Sequence, residues 1–192
     1  QRTISMLTLS DIIPKVYERV NGALTVHTMD DDACADFVAP SDGLNRGFNS
    51  IFTFDLADDN FDFQADHIVG NYPMVYSSAD VLVLTENAWG WWWFWGNDNM
   101  DESTNIHTFD ISSPGDTVYT GSGRVNGTVL NQFSISEYEG VLRVATTSGQ
   151  WARWWMENPE PMSSSVVTFV RGVDVETDRQ ILVEVGRVDN IA

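Results

Sequence analysis

A four-part pattern recurs along this 192-residue chain at intervals near 60 residues, and that period limits the possible folds more than any other feature. Each copy begins at a turn: Asn21-Gly22, Ala79-Asp80 and Glu139-Gly140. Counted at Gly22, Asp80 and Gly140, the copies lie 58 and 60 residues apart. An apolar, β-branched run follows each turn, Ala23 to Thr28, Val81 to Thr85 and Val141 to Thr146. After a long connection comes a segment built on Thr-Phe, at Thr53-Phe54, Thr108-Phe109 and Thr168-Phe169, spaced 55 and 60 residues apart. A fourth segment closes each copy: Phe61 to Val69, Thr117 to Val125 and Gln180 to Val188. We align its glycines as Gly70, Gly123 and Gly186.

Taken in order, the chain reads as β throughout. Thr3 to Leu9 alternates weakly and suggests a strand. Val16 to Val20 leads into Asn21-Gly22, a strong hairpin signal because both turn residues must accept positive φ. The pattern lapses from Met29 to Asn49, where Asp30-Asp31-Asp32, Pro40 and Asp42-Gly43 mark an exposed loop. Met74 to Ser78 opens the second copy, and Leu130 to Tyr138 opens the third with a polar-apolar alternation. Gly172 to Arg179 reads as a polar loop before the last strand.

Four antiparallel strands per copy, stacked on neighbouring copies, predict an all-β fold of β-propeller-like repeats with about three four-stranded blades. The units span approximately 10–70, 71–127 and 128–192 of one domain. Runs such as Val81 to Leu84, with no polar face, suit strands covered on both sides. Three blades do not close a ring, so the pattern predicts a fragment of a larger propeller, completed by further blades of a parent chain or by self-association. A β-sandwich of about twelve strands is the competing fold, although it requires no internal period.

Three stretches carry a more specific likeness: Gly121 to Gly127, Leu130 to Tyr138, and Leu142 to Thr147. With Ile106-His107-Thr108-Phe109-Asp110 and the ending Val185-Gly186-Arg187-Val188, they resemble a family of large bacterial and archaeal secreted proteins with a C-terminal β-propeller domain. The resemblance runs from about Val81 to Ala192 and is looser before. It implies an extracellular or cell-surface location. It brings no established activity, and its recurring residues look blade-forming rather than catalytic.

Charge narrows the partners. The net charge is −18, with 28 acidic against 10 basic residues, and Lys15 is the only lysine. Such a surface repels nucleic acid backbones and anionic membranes. There is no run of 18 apolar residues to span a bilayer. A single cysteine, Cys34, excludes an intrachain disulfide. The first residue is Gln1 rather than methionine, which suggests a processed product or a piece of a longer protein.

All eight tryptophans fall in two connections. Trp89, Trp91, Trp92, Trp93 and Trp95 lie in one, and Trp151, Trp154 and Trp155 in the other. Both join the second strand of a copy to its third, so the repeat places them on one face. Large aromatic side chains gathered there suit a surface that binds protein or glycan, or a small satellite core. The acidic runs Asp30-Asp31-Asp32 with Asp36, and Asn97 to Glu102, lack the central glycine and terminal glutamate of a calcium loop and read as solvated. His27, His67 and His107 are scattered without metal-ligand spacing. Glu137 and Glu139 flank a hairpin end rather than a recognisable cleft. There is no nucleophile elbow, P-loop or dinucleotide fingerprint, and Gly121-Ser122-Gly123 precedes no helix. The expectation is therefore a non-enzymatic scaffold or binding module without cofactor or metal, the alternative being a hydrolase using loop carboxylates.

Overall fold

Each turn predicted at a hairpin forces the chain to reverse within two residues, and three of these hairpins frame a computed structural model of the protein. It describes residues 6–8, 11, 15–28, 37–39, 47–57, 63–70, 73–87, 102–149 and 161–191. The chain divides into two units, 1–37 and 38–192. In the first, β1 (Lys15–Val20) and β2 (Ala23–Thr28) form a two-stranded antiparallel sheet. Asn21 and Gly22 turn between them at φ 50° and 87°, as the Asn-Gly pair requires. Met6 to Thr8 is not strand, contrary to the alternation there, and the rest of that stretch lies outside the described residues.

Three further sheets follow along the chain. Sheet I comprises β3 (Phe37–Val38), β4 (Phe48–Phe54) and β5 (Phe63–Val69) in the order β3-β5-β4. The predicted four-stranded first copy is thus not one sheet, because β1 and β2 pair only with each other among the described residues. The other two copies are as the repeat predicts. Sheet II is the meander β6 (Met74–Ser77), β7 (Val81–Asn87), β8 (Ser103–Asp110) and β9 (Val118–Asn126). Sheet III is the meander β10 (Ile135–Tyr138), β11 (Val141–Ser148), β12 (Ser163–Asp174) and β13 (Arg179–Ile191).

Register confirms the equivalence. Val83 pairs with Thr108 as Arg143 pairs with Thr168. Both sheets carry a bulge directly after that threonine, between Thr108 and Phe109 and between Thr168 and Phe169. The bulge lets both hydroxyls reach the same partner: Thr108 Oγ1 donates to the Gly121 carbonyl at 3.2 Å, and Thr168 Oγ1 to that of Gly186 at 3.1 Å. Gly121, not Gly123, is therefore the counterpart of Gly186, two residues from the sequence alignment.

Two further expectations change. The alternation from Leu130 suggested a strand, but Gln132–Ser134 is a turn of 3-10 helix, and β10 starts only at Ile135. Asn131 supplies the cause: its side chain accepts from the Phe133 amide, satisfying a donor that a strand would direct elsewhere. Gly172 does not start a loop either. It continues β12, and its lack of a side chain makes room for Val183, whose Cγ2 would lie 2.7 Å from an added Cβ.

The sheets stack face on face. Call the face turned toward the following copy forward and the opposite one rear. One core holds Val81, Val83, Ile106 and Val125 from the forward face of sheet II against Leu142, Val144, Val167, Phe169 and Leu182 from the rear of sheet III. A second holds Ile51 and Ile68 from the forward face of sheet I against Leu82, Leu84, Phe109 and Tyr119 from the rear of sheet II. Sheet II is covered twice, so every residue of β8 from Ser103 to Phe109 is buried. The margins are tied as well. Tyr76 and Ser78, at the β6 end, bond to Glu137 of β10, while β9 and β13 meet in one parallel pair, Ser122 with Ile181. Gln64 clamps sheet I to sheet II, its amide donating to the Thr117 carbonyl at 2.6 Å and accepting from the Thr117 amide at 3.0 Å.

Arg171 of β12 reaches back to Asp110 of β8 at 2.9 Å. Bonds from the Ser112 hydroxyl and amide, with this guanidinium, hold the Asp110 carboxyl down at about 2. Below an ordinary aspartate value the unfolded chain takes up this proton and the folded one does not. The stability from this group is therefore complete above about pH 4 and is lost as pH falls toward the folded value. Asp110→Asn should flatten the acid limb of the stability curve in that window, read by chemical denaturation at stepped pH. Ile106→Ala, at a fully buried position, should cost about 2–5 kcal/mol in urea unfolding. Val175→Ala, at an exposed turn position, should change stability by less than about 0.5 kcal/mol.

Candidate functional site

The end of the stack where β7 gives way to β8, and β11 to β12, is where the tryptophan-bearing connections leave. The tryptophans themselves, Trp89, Trp91, Trp92, Trp93, Trp95, Trp151, Trp154 and Trp155, lie in 88–101 and 150–160, outside the described residues. Their stems are described. The first segment departs after Asn87 and returns at Glu102, with Asn87 paired to Thr104 across the ladder. The second departs after Gly149 and returns at Pro161, with Ser148 paired to Ser163.

These stems are joined through two residues. The Gly127 amide donates to the Glu102 carbonyl at 2.6 Å. Its neighbour Thr128 bridges Thr147 in both directions, with Thr128 N to Thr147 O at 2.9 Å and Thr147 N to Thr128 O at 3.0 Å. The Thr128 hydroxyl adds a bond to the same Thr147 carbonyl at 3.1 Å. Thr104 Oγ1 donates to the Gly127 carbonyl at 2.7 Å, so both main-chain polar groups of that residue are used inside the stack. Gly127 adopts φ +87°, and an added Cβ would lie 2.9 Å from the backbone of Thr147. Only glycine brings the two stems this close. The root of one tryptophan segment is thus fixed to the root of the other by main-chain hydrogen bonds.

The surroundings are rich in hydroxyls. Thr146, Thr147 and Ser148 face Ser165, Ser164 and Ser163 across the β11–β12 ladder. Thr147 and Ser164 share a bond at 3.2 Å, and Ser163 donates to Asn190 at 3.1 Å. Sequence reasoning found the two segments but missed this anchor. Its signal in the sequence is Gly127, the glycine that follows a fourth strand.

The remaining candidates separate. The Glu137 carboxylate accepts from the Gly140 amide at 2.8 Å and from Ser78 at 3.3 Å, which makes it a hairpin and inter-sheet clamp. Glu139 occupies the hairpin turn at φ 51°. His27 bonds Glu18 at 3.0 Å, His67 bonds Ser50 at 2.9 Å, and His107 faces Tyr119 at 3.4 Å, each within its own sheet. Burial pushes the Tyr119 phenol up. Gly121 and Gly123 face β13 rather than a ligand: an added Cβ would stand 3.0 Å from the Ile181 backbone or 2.9 Å from the Leu182 side chain. Among the described residues no group of three or more histidine, cysteine or acidic side chains is placed to hold a metal ion. Asp30, Asp31, Asp32, Cys34, Asp36 and the stretch 97–101 lie outside the described residues. No helix among those described is long and apolar enough to cross a membrane.

Comparison with known proteins agrees with the stacking. A family model described as a β-propeller domain matches residues 1–192. An uncharacterized protein of Methanocaldococcus jannaschii is 53% identical over 36 residues, which are 19% of this chain and 6% of that protein. The matched stretch therefore spans a small part of that relative. No solved structure matches.

Because all eight tryptophans reside in the two segments, intrinsic emission reports on those segments alone. Gly127→Ala should strain the joint at positive φ, lower stability by about 1–3 kcal/mol and shift the tryptophan emission maximum. Gly22→Ala, at a positive-φ turn with open space around it, should leave that maximum unchanged.

Proposed function

Since the chain belongs to the β-propeller domain family, we propose that it is a non-enzymatic extracellular scaffold or binding module whose tryptophan-bearing loop face contacts protein or glycan. The observation that carries this reading is the hydrogen-bonded joint from Glu102 through Gly127 and Thr128 to Thr147. It gives two tryptophan segments a common, rigid root. Preorganised roots reduce the ordering cost of a recognition surface. Tryptophan supplies large apolar area with few rotatable bonds, and its faces stack on sugar rings and on extended peptides. The hydroxyl-rich ladder at the stems provides polar groups suited to neutral ligands, and the charge of −18 disfavours anionic ones.

The test is titration of the purified chain with a panel of neutral oligosaccharides and, separately, with unstructured Pro-rich peptides, following tryptophan emission. Saturable quenching by a member of either panel is expected. Trp92→Ala and Trp154→Ala should each weaken it by about 30-fold while leaving the melting temperature within a degree or two. Absence of any saturable change in both panels would remove the loop face as a binding surface. Release of reducing sugar during the titration would replace the binding module with the hydrolase.

A further inference from the structure

The stack uses one kind of joint twice, forward face onto rear face, and within unit 38–192 one of each half has no partner sheet among the described residues. On the rear of sheet I, Phe48, Phe52 and Phe54 are 45%, 40% and 46% exposed. Phe52 packs beside Phe63 with ring centroids 6.1 Å apart. On the forward face of sheet III, Val183 and Val188 are 41% and 61% exposed, beside half-buried Val166 and Val170. Both present apolar side chains of the kind that the chain itself buries in its two cores, and on the rear of sheet I these flank Ser50 and the fully buried His67.

We propose that the chain associates head to tail with a second copy of itself, the forward face of sheet III in one copy receiving the rear face of sheet I in the other. The internal joints supply the template. Where sheet II meets sheet III, Val83 of the forward face and Val167 of the rear face share one core. Register places Arg143 at the Val83 position of sheet III, since each pairs with the Thr of its Thr-Phe segment. The same repeat places Phe52 of sheet I at the position of His107 and Val167, one residue before that threonine. The open joint therefore sets a guanidinium opposite a phenyl face. Arg143 already lies over the Tyr138 ring at 5.8 Å, so it is positioned for aromatic contact. An arginine at this point would be costly against an aliphatic rear face such as that of sheet III, and is accommodated by the aromatic rear face of sheet I. The pairing is heterologous: each copy carries both halves of the joint.

Sedimentation equilibrium of the full chain from about 1 to 100 µM reads the association. Concentration-dependent association is expected. Val183→Asp and Phe52→Asp should each weaken it by about tenfold or more. Mixed together, the two variants should recover association limited to one copy of each, because one intact forward face then meets one intact rear face. Circular dichroism melting checks that each variant is folded, and Val188→Asp replaces Val183→Asp if it is not. A wild-type chain that stays monomeric at the top of the range overturns the proposal. So does a mixture no better associated than its components, or association that Phe52→Asp leaves untouched, which would mean that like faces meet. Neither result depends on what the tryptophan segments bind.

Discussion

Burial of the middle sheet on both sides is the constraint on which the rest of unit 38–192 depends. A strand with one wet face can alternate, but β8 cannot, and its residues from Ser103 to Phe109 are all buried. Yet the run Ser-Thr-Asn-Ile-His-Thr-Phe is mostly polar. Such a sequence survives burial only if its side chains find partners within the stack. Thr104 bonds the Gly127 carbonyl and Thr108 the Gly121 carbonyl, while His107 faces Tyr119. These bonds fix where the bulge must fall, because Thr108 reaches Gly121 only when the register slips by one residue beside it. Apolar pressure from both neighbours and hydrogen bonds at fixed points therefore select the same register.

Much of this was legible. Three Thr-Phe segments at nearly constant spacing gave the third strands, and the turns at Asn21-Gly22 and Glu139-Gly140 fell at the residues read from the sequence, all with positive φ. Apolar runs around Val81 and Val141 identified strands of the cores. What escaped had local chemistry that imitates another pattern. Leu130 to Tyr138 alternates like a strand, but Asn131 caps a turn there. Gly172 looks like a breaker, but it is a space for Val183. The glycines of the fourth strands were aligned two residues out, because the register that sets each opposite its threonine is invisible without the partner strand. The first copy has strands at the predicted places and one more, the half-buried β3, inside the stretch read as an exposed loop, and it pairs them as a separate hairpin and a three-stranded sheet. The candidate site was half legible: composition located the tryptophans, whereas the bonds rooting them are made by main-chain atoms, which carry no residue code.

The resemblance seen in Gly121 to Val125 also takes on a physical meaning. Gly121-Ser122-Gly123 is not a phosphate cradle; it is the place where β13 crosses close to β9, with no room for a side chain at either glycine. The likeness to blade-forming segments of other proteins thus resides in residues that permit sheets to touch at their margins. Such residues are conformational requirements and carry no information about ligand chemistry.

That crossing has a consequence for solubility. The outermost strand of an antiparallel meander exposes a row of amides and carbonyls on which another chain can template. In sheets II and III one such row on each belongs to β9 and β13, and the parallel pair at Ser122 and Ile181 turns each strand's margin toward the other. A bulky residue at Gly121 or Gly123 would push the two margins apart. The damage would then appear less as lost core than as two newly adhesive strand edges, so the defect to watch for is fibrillar or amorphous aggregation of an otherwise folded chain.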